Sequence, residues 1–137
     1  MEPPIDAATA KYDLLAEVEF RSDLRRLYGA LAISDRIRDL RTTAARLDAE
    51  IHIDPTRPNA AAVFIDKGRF VISLGPYDRL ERARFAVAHE IAHIAIERGY
   101  LEFARSRMQT LAEQEQLCDF VAGLLLMPLD TFVPAVL

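Results

Sequence analysis

The sequence lacks the features that define several large classes of protein. Cys118 is the only cysteine among 137 residues, which excludes a scaffold held together by disulfides. No apolar run reaches the roughly 18 residues that a membrane-spanning helix needs. The net charge is −4, so the composition does not indicate a basic nucleic-acid-binding face. No signal peptide or internal repeat is found, and with the single thiol this predicts a cytoplasmic protein.

The length and composition fit one globular domain. Hydrophobic residues make up 51% of the chain and charged residues 28%, as in an ordinary globular protein. A chain of this size buries roughly two-thirds of the surface that it exposes when unfolded, so its core needs no covalent cross-links. We therefore expect a single domain over residues 1–137, in which residues 1–10 form a loose leader.

The spacing of apolar residues predicts an α+β fold with about four helices and a small antiparallel β-hairpin. Helical periodicity precedes and follows a short stretch of β-branched residues around a turn signal at 66–68. Gly29 would end the first helix, Ser34 would cap the second and Asp78 the third. The second strand of the hairpin can then lie at a sheet edge, where an extended peptide can add. The predicted elements are helices over 11–28 and 34–51, strands over 61–65 and 69–74, and helices over 79–98 and 107–127.

Residues 89–93 read His-Glu-Ile-Ala-His and lie well inside the third predicted helix. Side chains four residues apart share one face of a helix, with Cβ atoms about 5–6 Å apart, so His89 and His93 can reach one metal ion. Glu90 lies about 100° around the helix from His89, beside such an ion, where it can deprotonate a water molecule. Apolar residues on both sides of the helix argue against the alternative of two exposed surface histidines.

A zinc site for hydrolysis needs a third protein ligand and keeps a fourth position open. His52 is one candidate, and Glu113 and Glu115 on the next predicted helix are the others. Helical phase favours Glu115, because it shares the apolar inner face of that helix while Glu113 points about 160° away. Asp119, four residues after Glu115, lies on nearly the same side and can accept a hydrogen bond from a ligand histidine.

Residues 84–93 resemble the signature helix of the ImmA/IrrE-type metallopeptidases. Residues 115–119 and 124–128 resemble that family's second motif, a Glu followed by Ala-Asn or Ala-Asp and then by a Leu-Leu-Met-Pro ending. Cys118 stands where the family usually has Ala and Val121 where it usually has Phe. Both replacements are apolar and leave the candidate ligands in place.

The resemblance implies a zincin-like metallopeptidase core with the metal between the last two helices. It implies His89, His93 and Glu115 as ligands of one zinc ion per chain, with Glu90 as the catalytic base. Manganese can substitute, because a set of two histidines and one carboxylate is not strict about the ion. The implied activity is that of a gluzincin-like zinc-dependent metalloendopeptidase. It would make limited, site-specific cuts in a protein partner, a helix-turn-helix transcriptional repressor, without contacting nucleic acid or a membrane itself.

Three further side chains are candidates for contact with the substrate or with the oxyanion formed during hydrolysis. Tyr77 and Tyr100 flank the metal helix at its two ends, and a phenol can donate a hydrogen bond to an oxyanion. His52, if it is not a ligand, can bind the substrate or act as an acid. The ordinary alternatives are two amphipathic tyrosines at the rim of the core and a structural or exposed histidine.

Two other functions compete with the peptidase. A non-catalytic, metal-stabilised binding partner of a repressor or antitoxin would use the same ligands. The intact Glu90 argues against it, because a structural zinc site has no use for a base and closes its fourth position. A metal-free structural domain would leave the pair of histidines unexplained.

Overall fold

The structure, a computed structural model, describes residues 17–31 and 39–126. These residues form five helices and a three-stranded sheet, so the predicted α+β class is confirmed. The loose leader over 1–10, the Ser34 cap and the end of the last helix near residue 127 lie outside the described residues. In chain order the elements are α1 (Val18–Leu31), α2 (Leu40–Arg46), β1 (Ala49–Ile53), β2 (Ala61–Asp66), β3 (Arg69–Leu74), α3 (Leu80–Glu97), α4 (Glu102–Ser106) and α5 (Leu111–Leu126).

The sheet has the order β1-β3-β2. β2 and β3 are antiparallel and form the predicted hairpin, in which Asp66 pairs with Arg69. Lys67 and Gly68 between them have φ values of 53° and 79°, the backbone that a two-residue hairpin turn requires. β3 is not an edge strand as predicted, because β1 pairs with it in parallel on its other side.

The predicted helix over 34–51 is wrong in its second half. α2 ends at Arg46, and Asp48, at φ 59°, reverses the chain into β1. The spacing of Leu47 and Ile51 fits a helix, but Ile51 pairs with Ile72 of β3 and packs against the core from the sheet. Pairing with a distant strand therefore overrides the local helical pattern.

α1 runs through Gly29, which was predicted to end it, to Leu31. Its apolar stripe of Leu24, Leu27 and Leu31 is buried in the core, and this burial outweighs the roughly 1 kcal/mol that a glycine costs inside a helix. Asp23 on the same helix is also buried, and its Oδ2 accepts hydrogen bonds from the backbone N–H groups of Phe103 and Ala104, at 2.9 and 3.3 Å. α1 thereby caps the short helix α4.

α3 begins one residue later than predicted. Its N-cap is Arg79, which makes no capping hydrogen bond through its side chain, and Asp78 only approaches Arg82, at 3.9 Å. Asp78 therefore does not cap the helix. The C-terminal end is as predicted, since Gly99 has φ 87° and its N–H donates to the carbonyl of Ile96.

The stretch predicted as one helix over 107–127 begins differently. α4 ends at Ser106, and α5 starts at Leu111 after the cap residue Thr110. The Thr110 Oγ1 accepts from the Glu113 N–H at 3.1 Å, and its hydroxyl donates to Glu113 Oε1 at 3.0 Å. Glu113 is thus used in starting the helix.

α3 is the central helix of the domain. It packs against α5 on one side and against β2 and β3 on the other. Its residues Val87, Ile91 and Ile94 are buried, whereas Leu80 and Phe85 near its N-terminal end remain exposed. No helix in residues 17–31 and 39–126 is both long and apolar enough to span a membrane.

Candidate metal centre

The imidazoles of His89 and His93 lie side by side on the face of α3 that meets α5. Because the two residues are four apart on the helix, their Nε2 atoms come within 3.1 Å of each other. The His89 side chain is 15% exposed and that of His93 32%, so both reach solvent from a largely buried helix.

Glu115 of α5 brings its carboxylate to both histidines. Its Oε2 lies 2.9 Å from His89 Nε2, and its Oε1 lies 2.9 Å from His93 Nε2. The three side chains each offer a ligand atom, and these atoms all lie within 4.8 Å of one another. Glu113, the alternative in the sequence, is instead engaged at the N-terminal cap of α5.

Asp119, one turn further along α5, contacts the other nitrogen of His89, with its Oδ1 at 2.7 Å from Nδ1. An ionised carboxylate only accepts hydrogen bonds, so Nδ1 must carry the proton when this bond forms. His89 Nε2 then presents a lone pair towards Glu115 and His93. Asp119 thus fixes both the orientation of the ring and the nitrogen that is free to bind a metal.

The donor set fits a divalent ion such as zinc. With Nδ1 of His89 protonated, electron-rich atoms of His89, His93 and Glu115 face one another, and only protons or a cation can relieve their repulsion. Tetrahedral zinc with bonds of 2.0–2.1 Å keeps its ligand atoms about 3.3 Å apart. The two Nε2 atoms lie 3.1 Å apart, slightly closer than this, and each has a different Glu115 oxygen at 2.9 Å, so small movements of the three side chains would accommodate the ion.

Glu90 follows His89 on α3 and is partly buried beside the three ligand candidates. Burial raises the pKa of its carboxyl, the nearby His93 and His89 oppose that rise, and the charge of Glu115 adds to it. A carboxylate with a raised pKa holds a proton more firmly once it has accepted one. This property suits a general base.

Tyr77 and Tyr100 lie in different surroundings. The segment before Tyr77 is fixed, since the Asn59 N–H donates to the carbonyl of Pro76 at 2.8 Å. Burial raises the pKa of the Tyr77 phenol, and the charge of Glu90 raises it further. The phenol therefore stays protonated, and it is close enough to Glu90 for the two groups to interact. The Tyr100 ring instead packs below the guanidinium of Arg26, 5.9 Å from its centroid.

His52 is not brought to the ligand candidates. It lies on β1 with its side chain exposed, and its Nε2 lies 3.0 Å from the Glu50 carboxylate, which also accepts from Arg69 at 2.6 Å. Within the described residues, only His89, His93 and Glu115 form a group able to hold a metal. A role for His52 as an acid or in substrate binding stays a prediction.

Cys118 lies near the site. From the sequence it was predicted only to be an apolar residue. Its side chain is fully buried on α5. Burial raises the pKa of the thiol to about 12, and the charges of Glu115, Glu90 and Asp119 contribute to the rise. The cysteine is therefore a neutral thiol at physiological pH and is not poised as a nucleophile.

The sequence pattern of the IrrE N-terminal-like domain, a peptidase M78 family, matches residues 44–137, which is more than half of the chain. The chain belongs to the IrrE N-terminal-like family. The resemblance found in the sequence is thereby confirmed. No curated protein matches the chain.

Membership in the IrrE N-terminal-like family makes this chain a metallopeptidase by family. The matched residues include both helices that carry the metal candidates, and they begin within α2. The α+β architecture is consistent with a zincin-like domain. A metal is accordingly implied, and the His89, His93 and Glu115 group is where the described residues can hold it.

Proposed function

We propose that the chain is a zinc-dependent metalloendopeptidase that makes limited cuts in a protein partner, a helix-turn-helix transcriptional repressor. The observation that carries the activity is the convergence of His89, His93 and Glu115, with Glu90 one residue along the same helix. The family resemblance supports the repressor as the partner.

In this proposal His89, His93 and Glu115 would hold a zinc ion through one nitrogen of each imidazole and the carboxylate. A bound zinc ion supplies a Lewis acid, which lowers the pKa of a coordinated water from about 15.7 towards 7 and polarises a carbonyl group. Asp119 holds His89 in the tautomer that leaves Nε2 free for the ion.

Glu90 is the proposed general base. Its carboxylate accepts the proton of the attacking water and then passes that proton to the amine that leaves when the peptide bond breaks. Tyr77, with a phenol that stays protonated near Glu90, is the proposed donor to the oxyanion. Tyr100 is less suited to this role, because its ring is packed against Arg26.

The sheet offers a place for an extended substrate. β2 is the edge strand that packs against α3, whereas β3 is enclosed between two neighbours. A peptide that adds to the free edge of β2 would form backbone hydrogen bonds along that strand and lie beside the helix that carries Glu90. The edge strand proposed to bind the substrate is therefore β2, and not β3 as predicted from the sequence.

Replacement of Glu90 by Gln tests the mechanism. Glu90→Gln keeps the size of the side chain and removes the base, so it should retain its fold and its zinc. Cleavage of the proposed helix-turn-helix repressor partner should slow by about 10²–10⁴. Cleavage is followed by gel electrophoresis and mass spectrometry, and zinc by elemental analysis.

The matched control is Glu97→Gln, an exposed carboxylate at the end of the same helix, which should cleave at the parental rate. A Glu90→Gln protein that cuts as fast as the parent would refute the peptidase mechanism. If the parent protein binds the repressor without cutting it, the chain is instead a metal-stabilised binding partner.

A further inference from the structure

An open, largely apolar groove lies at the N-terminal end of α3. It has a volume of about 270 Å³ and is lined by the start of α2, the ends of β1 and β3, and the first two turns of α3. Two of its apolar side chains are strongly exposed, Ile53 at 58% and Leu80 at 73%. Its apolar lining is formed mainly by Leu40, Ile51, Ile53, Leu74, Leu80 and Val87.

Two arginines line this groove, Arg41 on α2 and Arg84 on α3. Among residues 17–31 and 39–126, neither guanidinium has an ion pair or a side-chain hydrogen bond, although Arg84 is only partly exposed. The one carboxylate in the lining, Asp39, already caps α2, since its Oδ1 accepts from the Arg41 N–H at 2.9 Å. A partly buried cation without an anion is unfavourable, so Arg84, which has no anionic partner among the described residues, favours a ligand that carries negative charge.

The groove faces away from the metal candidates. Val87 lines the groove, and His89 follows it by two residues, which places the two side chains about 160° apart around the helix. A ligand in the groove would therefore leave the metal face free. The same helix carries both surfaces, so one partner protein can contact the two at once.

We propose that this groove is a docking site for a segment of the protein substrate that carries apolar side chains beside Asp or Glu. The apolar side chains fill the lining, and the carboxylates pair with Arg41 and Arg84. The identification of the segment as part of a substrate rests on the proposed function. The apolar and cationic character of the groove does not depend on that function.

Binding of defined peptides tests the groove without any cleavage. The probes are two fluorescein-labelled synthetic peptides with the same leucine positions, one with Glu and the other with Lys at the remaining positions. The metal-free full chain should bind the Leu/Glu peptide, measured by fluorescence anisotropy at low salt, and should bind the Leu/Lys peptide at least about tenfold more weakly. Equal affinity for the two, or no saturable binding of the Leu/Glu peptide, would overturn the proposal.

Substitutions locate the binding. Arg41→Glu, Arg84→Glu and Leu80→Ser should each lower the affinity for the Leu/Glu peptide by about tenfold. The two arginine changes together should make the protein prefer the Leu/Lys peptide. Arg105→Glu, an exposed arginine on α4, is the matched control and should leave the affinity unchanged. Affinities that do not respond to the groove variants would overturn the proposal. So would a parent dimer that becomes monomeric in Leu80→Ser, since a second copy would then fill the groove.

Cleavage of the proposed repressor partner adds a second readout. Arg41→Glu should raise KM for the repressor and leave kcat unchanged, and a short peptide that spans the cut bond should be cleaved at the parental rate. An equal loss on repressor and short peptide would contradict docking in the groove. If the parent does not cut the repressor, the proposed function fails, while the peptide-binding result still decides whether the groove binds acidic segments.

Discussion

Glu113 and Glu115 are two residues apart, yet their carboxylates have different surroundings. The Glu115 oxygens lie 2.9 Å from both imidazoles, whereas Glu113 is held by the Thr110 hydroxyl at the start of α5. A ligand must point at the ion from a fixed backbone position, so a shift of two residues around a helix is enough to decide which carboxylate can bind.

The proposed ligand set predicts the metal content of single variants. The parent should bind one zinc per chain, and His89→Ala, His93→Ala and Glu115→Ala should each lose affinity by more than the roughly 10–100-fold that removal of an outer hydrogen bond costs. Elemental analysis after dialysis against a weak chelator measures this. Glu113→Ala is the control and should keep its zinc. Full occupancy in Glu115→Ala with loss in Glu113→Ala would reverse the assignment.

Cys118 predicts a pH dependence of stability. Its thiol has a pKa raised from 9.0 to about 12 in the folded protein. Above about pH 9 the unfolded chain therefore releases this proton while the folded chain keeps it, so stability falls as pH rises from 9 to 12.

Comparison with Cys118→Ala isolates that contribution. The free energy of unfolding of the parent, relative to the variant, should decrease by about 1.4 kcal/mol between about pH 8 and pH 10. Urea unfolding of both proteins in the same metal buffer measures the difference. A constant difference across this range would mean that the folded thiol ionises as easily as the unfolded one.

The positions of His89, His93 and Glu115 could be predicted from the sequence because each depends on the phase of a single helix. The spacing of the two histidines fixes their shared face, and the apolar face of α5 selects Glu115. The location of His52 depends on which strand it occupies and on the neighbours of that strand. The helical pattern around His52 did not predict a strand there. In the structure His52 lies on β1 in an exposed ion pair.

At the scale of elements, α1 and α4 are joined through one buried carboxylate. Leu101, the N-cap of α4, has φ 63° and makes no side-chain capping bond, and Asp23 supplies the missing acceptor from α1. α4 connects the two helices that carry the metal candidates. The Asp23 contact therefore helps to fix how those helices meet.

Loss of the Asp23 carboxylate should destabilise the fold. Asp23→Ala leaves two backbone N–H groups without an acceptor and should cost about 1–3 kcal/mol. Asp23→Asn is the matched control, because its amide oxygen can still accept, and it should lose less. Urea unfolding monitored by circular dichroism gives both values. An unchanged midpoint for Asp23→Ala would show that solvent can replace the cap.

The hairpin was predictable because its signals are adjacent in the chain, whereas β1 was not. The turn at Lys67 and Gly68 and the β-branched residues beside it are a local pattern. Ile51 and Ile53 fit either a helical or an alternating pattern, and only their pairing with Ile72 and Leu74 selects the strand. Pairing with a strand about twenty residues away cannot be detected from the local spacing of apolar residues.

At the scale of the whole molecule, the two proposed contact surfaces predict a narrow substrate range. An efficient substrate must add to β2 beside the metal helix and place an acidic, apolar segment in the groove near Leu80. Casein should therefore be cut at least about 10²-fold more slowly than the partner, measured as kcat/KM for the zinc-loaded protein. Rapid degradation of unrelated unfolded proteins would indicate a housekeeping peptidase.

The sheet order also determines when the strands can come together during synthesis. β1 is made first of the three strands, but its partner β3 is made last, and β1 and β2 lie on opposite sides of β3. A nascent chain that stops before residue 69 therefore holds two strands that do not pair with each other. The sheet forms only once the third strand has left the ribosome, and the helix with both histidines follows directly after it.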